Sequence, residues 1–333
     1  VSRPAGRFDE DPVFGTEAAT TPLPVGGGDF LEPGQETAIP EGGEVAAGGG
    51  MFRQIGRVFL ENKLAVVGLL IIIGMVLFCF VGPFFYHTNQ TNQQAALLSP
   101  ENAPPGAGHP LGTDGTGFDI LGRLMYGGQT SLIIGLVSAV VATVVGVLYG
   151  ATSGFFGGWV DATLMRIVDV GLSIPILFLL IALETVFQKN SAFFLIVIIA
   201  AVSWLIPSRL LRGETLTLRV REYVQAVTVM GGNRGRIVGR HIIPNAVGTI
   251  VVFATFQVAD SILLLAALGF LGFGVAPPAT DWGSMLATGA ESAGNGWWWQ
   301  IYPAGICIVL VVVAVNFVGD ALRDALEVRL QRR

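Results

Sequence analysis

Six stretches of the chain are apolar enough, for long enough, to cross a hydrocarbon layer: 64–86, 129–152, 165–187, 193–211, 248–271 and 301–320. A spanning helix needs roughly 20 such residues and a barrel strand only about 10, so the lengths predict helices. The polar segments between them are unequal. Residues 87–128 and 272–300 form long loops on one side and 188–192 a tight turn, while 212–247 is the one long loop on the other side. The pattern predicts an all-α integral membrane protein with six transmembrane helices spread over 64–322, with short segments 51–63 before it and 323–333 after it.

The basic residues orient this pattern. Placing 51–63 inside the cell puts 17 of the 19 lysines and arginines on the cytoplasmic side and leaves only Arg123 and Lys189 outside. Excess positive charge on cytoplasmic loops is the general rule, so both termini are expected in the cytoplasm of a protein of the cell (inner) membrane. Composition agrees: 52% of residues are hydrophobic and 13% charged, against about 25% charged in soluble domains. The net charge of −5 comes from residues 1–50, where nine acids face two arginines; the rest of the chain is slightly basic. That stretch is also rich in Gly and Pro, which predicts a disordered acidic tail. It lacks the basic start and apolar core of a secretory signal. Cys79 and Cys307 lie inside apolar runs and read as small buried residues.

Several positions inside the spans carry further signals. Gly146, Gly150 and Gly154 recur every four residues, which permits close helix approach. Pro175 and Pro207 interrupt two spans and should bend them. A static bundle with kinked helices and a set of helices that rock against a partner are both compatible with these residues. Trp297, Trp298 and Trp299 suit the membrane interface. Asp169 reads as an i,i+3 pair with Arg166, Glu184 as an outer-end carboxylate within reach of water, and mid-span Asp260 as a candidate pathway residue.

Chemistry is otherwise sparse. The lysines, Lys63 and Lys189, sit outside any Gly-Lys-Ser/Thr phosphate loop. "GLSIP" (171–175) lacks the second glycine of a nucleophile elbow. His87, His109 and His241 stand apart from any catalytic or metal-binding set. No catalytic residue, metal site or nucleic-acid partner is expected.

The stretch "EYVQAVTVMGGNRGRIVGRHIIPN" (222–245) is the exception to the apolar pattern. A short helix over 221–231 would put Tyr223, Val224 and Val227 on one side. Gly231 and Gly232 break it, Asn233 can cap a second helix from Arg234, and Pro244 helps to end that one. Ile237, Val238, Ile242 and Ile243 give the second helix an apolar stripe. Such a knob either docks on a protein or lies on anionic lipid, for which its arginines would suffice.

The spacing of Glu222, Ala226, Gly231, Ile237 and Pro244 resembles the EAA loop of ABC importer permeases. "REYVQAVTVMGGNRGRIVGRHIIPN" is similar to the dipeptide/oligopeptide subfamily in particular. "HPLGTD" (109–114), "RLMYGGQTSLIIG" (123–135), "GFFGGWVDATLMRIVDVGLSIP" (154–175), "FLGFGVAPPATDWGSML" (270–286) and "NFVGDALRDALEVRL" (316–330) resemble it in the same order. The long external loop after one N-terminal span suggests the C-type subunit. The resemblance implies a type I ABC importer permease fold with a cytoplasmic coupling helix. It implies partners: a homologous second permease in a heterodimer, two cytoplasmic ATPase subunits that bind ATP and magnesium, and an external substrate-binding protein. No cofactor is then expected in this chain. Glu222, Tyr223, Ala226, Gly231, Gly232, Arg236, Ile237, His241 and Pro244 would form the ATPase-coupling site.

The implied cargo is a dipeptide or oligopeptide, although similar systems carry nickel chelates, glutathione or haem. A gradient-driven secondary transporter using Asp260 as its ion site is the reading from another class; the lack of a visible inverted repeat disfavours it. The sequence departs from the family pattern at Val227, where a second alanine is usual, at Phe118, where an arginine is common, and at Leu265 and Gly269, often Glu and Ser. The change at Val227 would adjust the fit to the ATPase, and those at Leu265 and Gly269 would touch the pathway lining.

Overall fold

The computed structural model describes residue 56 and residues 59–90, 92–187 and 189–331; the acidic stretch 1–50 lies outside them. Among the described residues the regular structure is helical, with two isolated bridges and no strand. The main helices are α1 (Lys63–Phe85), α2 (Ile120–Phe156), α3 (Gly158–Ser173), α4 (Ile176–Phe187), α5 (Ala192–Ser203) and α6 (Leu205–Leu218). Then come α7 (Glu222–Val229), α8 (Arg234–Ile237), α9 (Val247–Phe270), α10 (Trp282–Glu291) and α11 (Tyr302–Gln331). Among the described residues, four helices are long and apolar enough to cross a membrane alone, and six if each of the bent pairs α3–α4 and α5–α6 is one broken span.

The breaks follow from proline chemistry. Ile174, just before Pro175, is extended at φ −95° and ψ 128°, as the residue before a proline prefers. The chain turns by 86° there, so 165–187 is not the single straight span that its apolarity predicts. In the next span the 42° bend falls at Trp204, ahead of Pro207. Pro207 sits in the first turn of α6, where its missing N–H removes no helical bond.

Two expected loop boundaries move. The 37 residues of α2 would extend about 55 Å at 1.5 Å per residue, well beyond a hydrocarbon layer of about 30 Å. The helix thus begins at Ile120, capped by Asp119 through its side-chain bond to the Gly122 N–H at 2.7 Å, and takes up the end of loop 87–128. Likewise α6 runs on to Leu218 and shortens loop 212–247.

Helix α2 is the hub, packing on α5, α6 and α9, while α11 bridges α9 and α1. The glycine repeat makes the α2–α6 contact. A Cβ on Gly146 would come within 2.6 Å of Pro207 Cβ, on Gly150 within 2.2 Å of the Ser208 carbonyl oxygen, and on Gly154 within 2.8 Å of that of Arg212. Separations this short admit only glycine. One apolar core gathers Trp282, Ile262, Val311 and the two buried free cysteines, Cys79 and Cys307; another gathers Ile134, Leu180, Leu195, Ile199, Leu265 and Leu268.

The two long loops lock into each other at the opposite end from α7. Asp114 accepts bonds from the Thr116 and Phe118 N–H groups and pairs with Arg123, whose Nη2 donates to Thr280 Oγ1 at 3.2 Å. Arg123 also lies over the Phe118 ring at 5.2 Å, so the phenylalanine that replaces a common arginine packs against a cation. Gln90 Nε2 donates to the Pro278 carbonyl at 2.8 Å, and Gln300 Nε2 to Asn102 Oδ1 at 2.8 Å. The tryptophans divide. Trp299 is only 8% exposed and donates to the Thr113 carbonyl, so it is a core residue and not an interface anchor; Trp298 is exposed.

Candidate functional site

Residues 219–246 build a knob with its own small core. Glu222 opens α7, where an acidic side chain favours the positive end of the helix dipole. The helix stops at Val229 because Gly231 takes φ +81°, and the Gly231 and Gly232 N–H groups then donate to the Thr228 and Val227 carbonyls, both at 3.0 Å. The left-handed region suits glycine alone at low cost. Gly232 is needed for space: a Cβ there would approach Val227 Cγ1 to 2.7 Å. Asn233 caps α8, its Oδ1 accepting from the Gly235 N–H at 2.9 Å. A π turn over Val238–Ile242 follows, and Pro244 stands in the short turn Ile243–Asn245. Val224, Ile237, Val238 and Ile242 are buried together with Ala151 of α2, and Val227 and Leu218 pack against them. This joins the knob to the ends of α2 and α6.

The expected site residues therefore separate. Glu222, Tyr223, Ala226, Gly231, Arg236 and Pro244 are exposed, and Gly232 and His241 half-buried, while Ile237 is 1% exposed. Ile237 holds the knob together and offers no surface. Tyr223 does not share the inner side with Val224 and Val227, because contact with Ile237 buries only a narrow wedge of α7. The extra bulk of Val227 points the same way, over Gly232.

Two residues that sequence reasoning missed dominate the tip. Val229 is 88% and Met230 77% exposed, both apolar and both just before the double glycine. The available signal was the register of Val229, which falls off the Val224/Val227 side of the helix; Met230, three residues after Val227, carried no such signal.

Ion pairs brace the region between α3 and α6. Arg212 donates Nε to Asp161 Oδ1 at 2.5 Å and Nη2 to Oδ2 at 2.6 Å, and Ser153 Oγ donates to the same carboxylate. Asp169 pairs with Arg209 of α6, and not with Arg166 on its own helix as spacing suggested. Arg219 Nη1 donates to the Gly154 carbonyl at 2.9 Å. Of the remaining acids, Glu184 is 1% exposed and neither carboxylate oxygen has a hydrogen-bond partner among the described residues, which corrects its expected access to water. Asp260 lies near the middle of α9 with an exposed side chain. Leu265 is fully buried, and a Cβ on Gly269 would meet Asp281 Oδ1 at 2.3 Å, so these two line no open route in this subunit. No group of three or more His, Cys, Asp or Glu among the described residues could hold a metal ion.

Comparison with known proteins is consistent with this geometry. Residues 142–332 match the family described as binding-protein-dependent transport system inner membrane component. Residues 50–105 match the N-terminal TM domain of oligopeptide transport permease C. The chain is 36% identical over 280 residues to the oligopeptide transport system permease protein OppC of Haemophilus influenzae, covering 84% of this chain and 89% of that protein. It is 40% identical over 274 residues to the protein of the same name from Mycobacterium tuberculosis, covering 81% and 92%.

Proposed function

Because this chain belongs to the family of binding-protein-dependent transport system inner membrane components, as the permease subunit of an ATP-binding-cassette importer, we propose that it carries oligopeptides or dipeptides inward along a route shared with a second, homologous permease. The names of its relatives support the cargo. Two cytoplasmic ATPases, which bind the ATP and magnesium, grip the 219–246 knob, and an external binding protein delivers the peptide to the locked outer loops. Both termini lie in the cytoplasm, as the distribution of basic residues favours. The subunit itself performs no covalent chemistry.

The observation that carries this reading is the construction of the knob. Its base is fused to α2 and α6 through a buried apolar core, while Val229 and Met230 stand out into solvent at its tip. A rigid base with an apolar tip transmits a push. When the ATPases close, the knob moves as a body and drags the ends of α2 and α6 with it. The exposed carboxylate of Asp260 supports a shared route, since a charge at bilayer depth faces protein or water and not lipid.

Reconstitution of the permease pair with its ATPases and binding protein in proteoliposomes tests this. ATP-dependent accumulation of a labelled oligopeptide, reduced by Asp260→Asn, is expected. Accumulation driven by an ion gradient without ATP would contradict the reading, and uptake of haem, glutathione or a nickel chelate in place of peptide would correct the cargo.

A further inference from the structure

A groove of about 480 Å³ runs between the end of α2 and the outer side of α7. Phe155, Phe156, Arg219, Val220, Arg234 and the tip residue Val229 are among its lining residues, and none of the lining residues is a carboxylate. We propose that this groove holds the phosphate headgroup of an anionic phospholipid of the inner leaflet, beside the knob tip with which it shares Val229.

The two guanidinium groups are set up to receive an anion. Arg234 lies over the Phe156 ring at 5.9 Å, a contact that fixes the cation without consuming its N–H donors. Arg219 spends one nitrogen on the Gly154 carbonyl, and a guanidinium carries five N–H donors, so donors remain. Gly157 makes room for it: φ is +64°, and a Cβ there would sit 3.0 Å from Arg219 Nη1. Asp161 on the neighbouring α3 makes its hydrogen bonds to Arg212 and Ser153, although its charge is also felt by Arg219.

The surroundings favour a lipid over a soluble anion. Phe156, Trp159 and Val220 are all exposed at this end of the spans. Aromatic residues concentrate at the membrane interface, where one side of the ring meets acyl chain and the other headgroup. Basic residues close to the inner leaflet attract its anionic lipids. A groove that combines two arginines with exposed apolar rims matches a headgroup and the first part of its chains.

Native mass spectrometry of the full-length permease complex, with phosphatidylglycerol or phosphatidylcholine added at equal ratio, tests the assignment. Wild type should retain phosphatidylglycerol on the order of tenfold better, Arg219→Gln with Arg234→Gln should lose that preference, and the corresponding pair of lysines should restore most of it. If the glutamine pair does not fold, Arg234→Gln alone, at an exposed position, should lose part of the preference. An unchanged preference in the folded glutamine variants overturns the proposal. So does displacement of the lipid by an equal concentration of inorganic phosphate, which would mark a free-anion site. Loss of bound ATPases with an unchanged lipid profile would assign the groove to protein docking instead.

Discussion

Asp161 of α3 and Arg212 of α6 meet through two parallel bonds, Nε to Oδ1 at 2.5 Å and Nη2 to Oδ2 at 2.6 Å. The pair spans a break in the chain: between the two helices lie the 86° turn at Pro175 and the 42° bend at Trp204. It therefore fixes the angle at which two broken spans meet, next to the knob. Both side chains are partly shielded from solvent, and Ser153 of α2 joins the same carboxylate. Hydrogen bonds to a charged group contribute about 1.5–3 kcal/mol each when solvent is limited. Asp161→Asn and Arg212→Gln should each lower the unfolding temperature of the purified subunit, and the double variant should cost clearly less than the sum. Strict additivity in a double-mutant cycle would show that the two do not act as a unit.

The α2–α6 contact depends on the absence of side chains at Gly146, Gly150 and Gly154. At Gly150 a Cβ would lie 2.2 Å from the Ser208 carbonyl oxygen, and that oxygen belongs to a helix backbone that cannot step aside. Gly150→Val is expected to prevent stable membrane assembly. Gly213→Ala provides the contrast, since nothing lies within 4 Å of its Cβ position and alanine is the better helix former. Normal levels of the Gly150→Val protein, by quantitative blotting of membranes, would show that the helices are not held this close.

Glu184, one helical turn after the buried Leu180, is itself buried with neither oxygen bonded among the described residues. A polar group buried without a partner costs about 1–3 kcal/mol on the scale of protein mutations. Glu184→Leu, close in volume, should raise the unfolding temperature of the isolated subunit. A lower temperature would show that the carboxylate is satisfied within the subunit and is not buried without a partner.

How much of this was legible beforehand depends on the range of the interactions. The six apolar spans, the cap at Asn233 and the turn at Gly231 and Gly232 are local, and chain pattern alone was enough to read them. Pro175 announced a break but not its angle, and Pro207 announced one whose position proved to be Trp204, because a proline is comfortable inside the first turn of the following helix. The Asp169–Arg209 pair depends on how α3 crosses α6, and residue spacing favoured Arg166 instead. Within the candidate site, the residue list was sound as a segment and mixed as a surface. Ile237 lies inside and Tyr223 outside, because which side of a two-turn helix is buried is decided by what packs against it. The same uncertainty hid Val229 and Met230.

These two residues give the most direct test of the coupling role. Val229→Ser with Met230→Ser alters a tip that is exposed in the single subunit, so the fold should be untouched, whereas Ile237→Ser should disrupt the buried base of the knob. The measurement is retention of the partner ATPases on the detergent-solubilised permease pair, with wild type and the two variants compared in parallel. The tip variant is expected to keep the wild-type unfolding temperature and lose most of the bound ATPase. Full retention of ATPase by a well-folded tip variant would contradict the assignment of the knob as the coupling element.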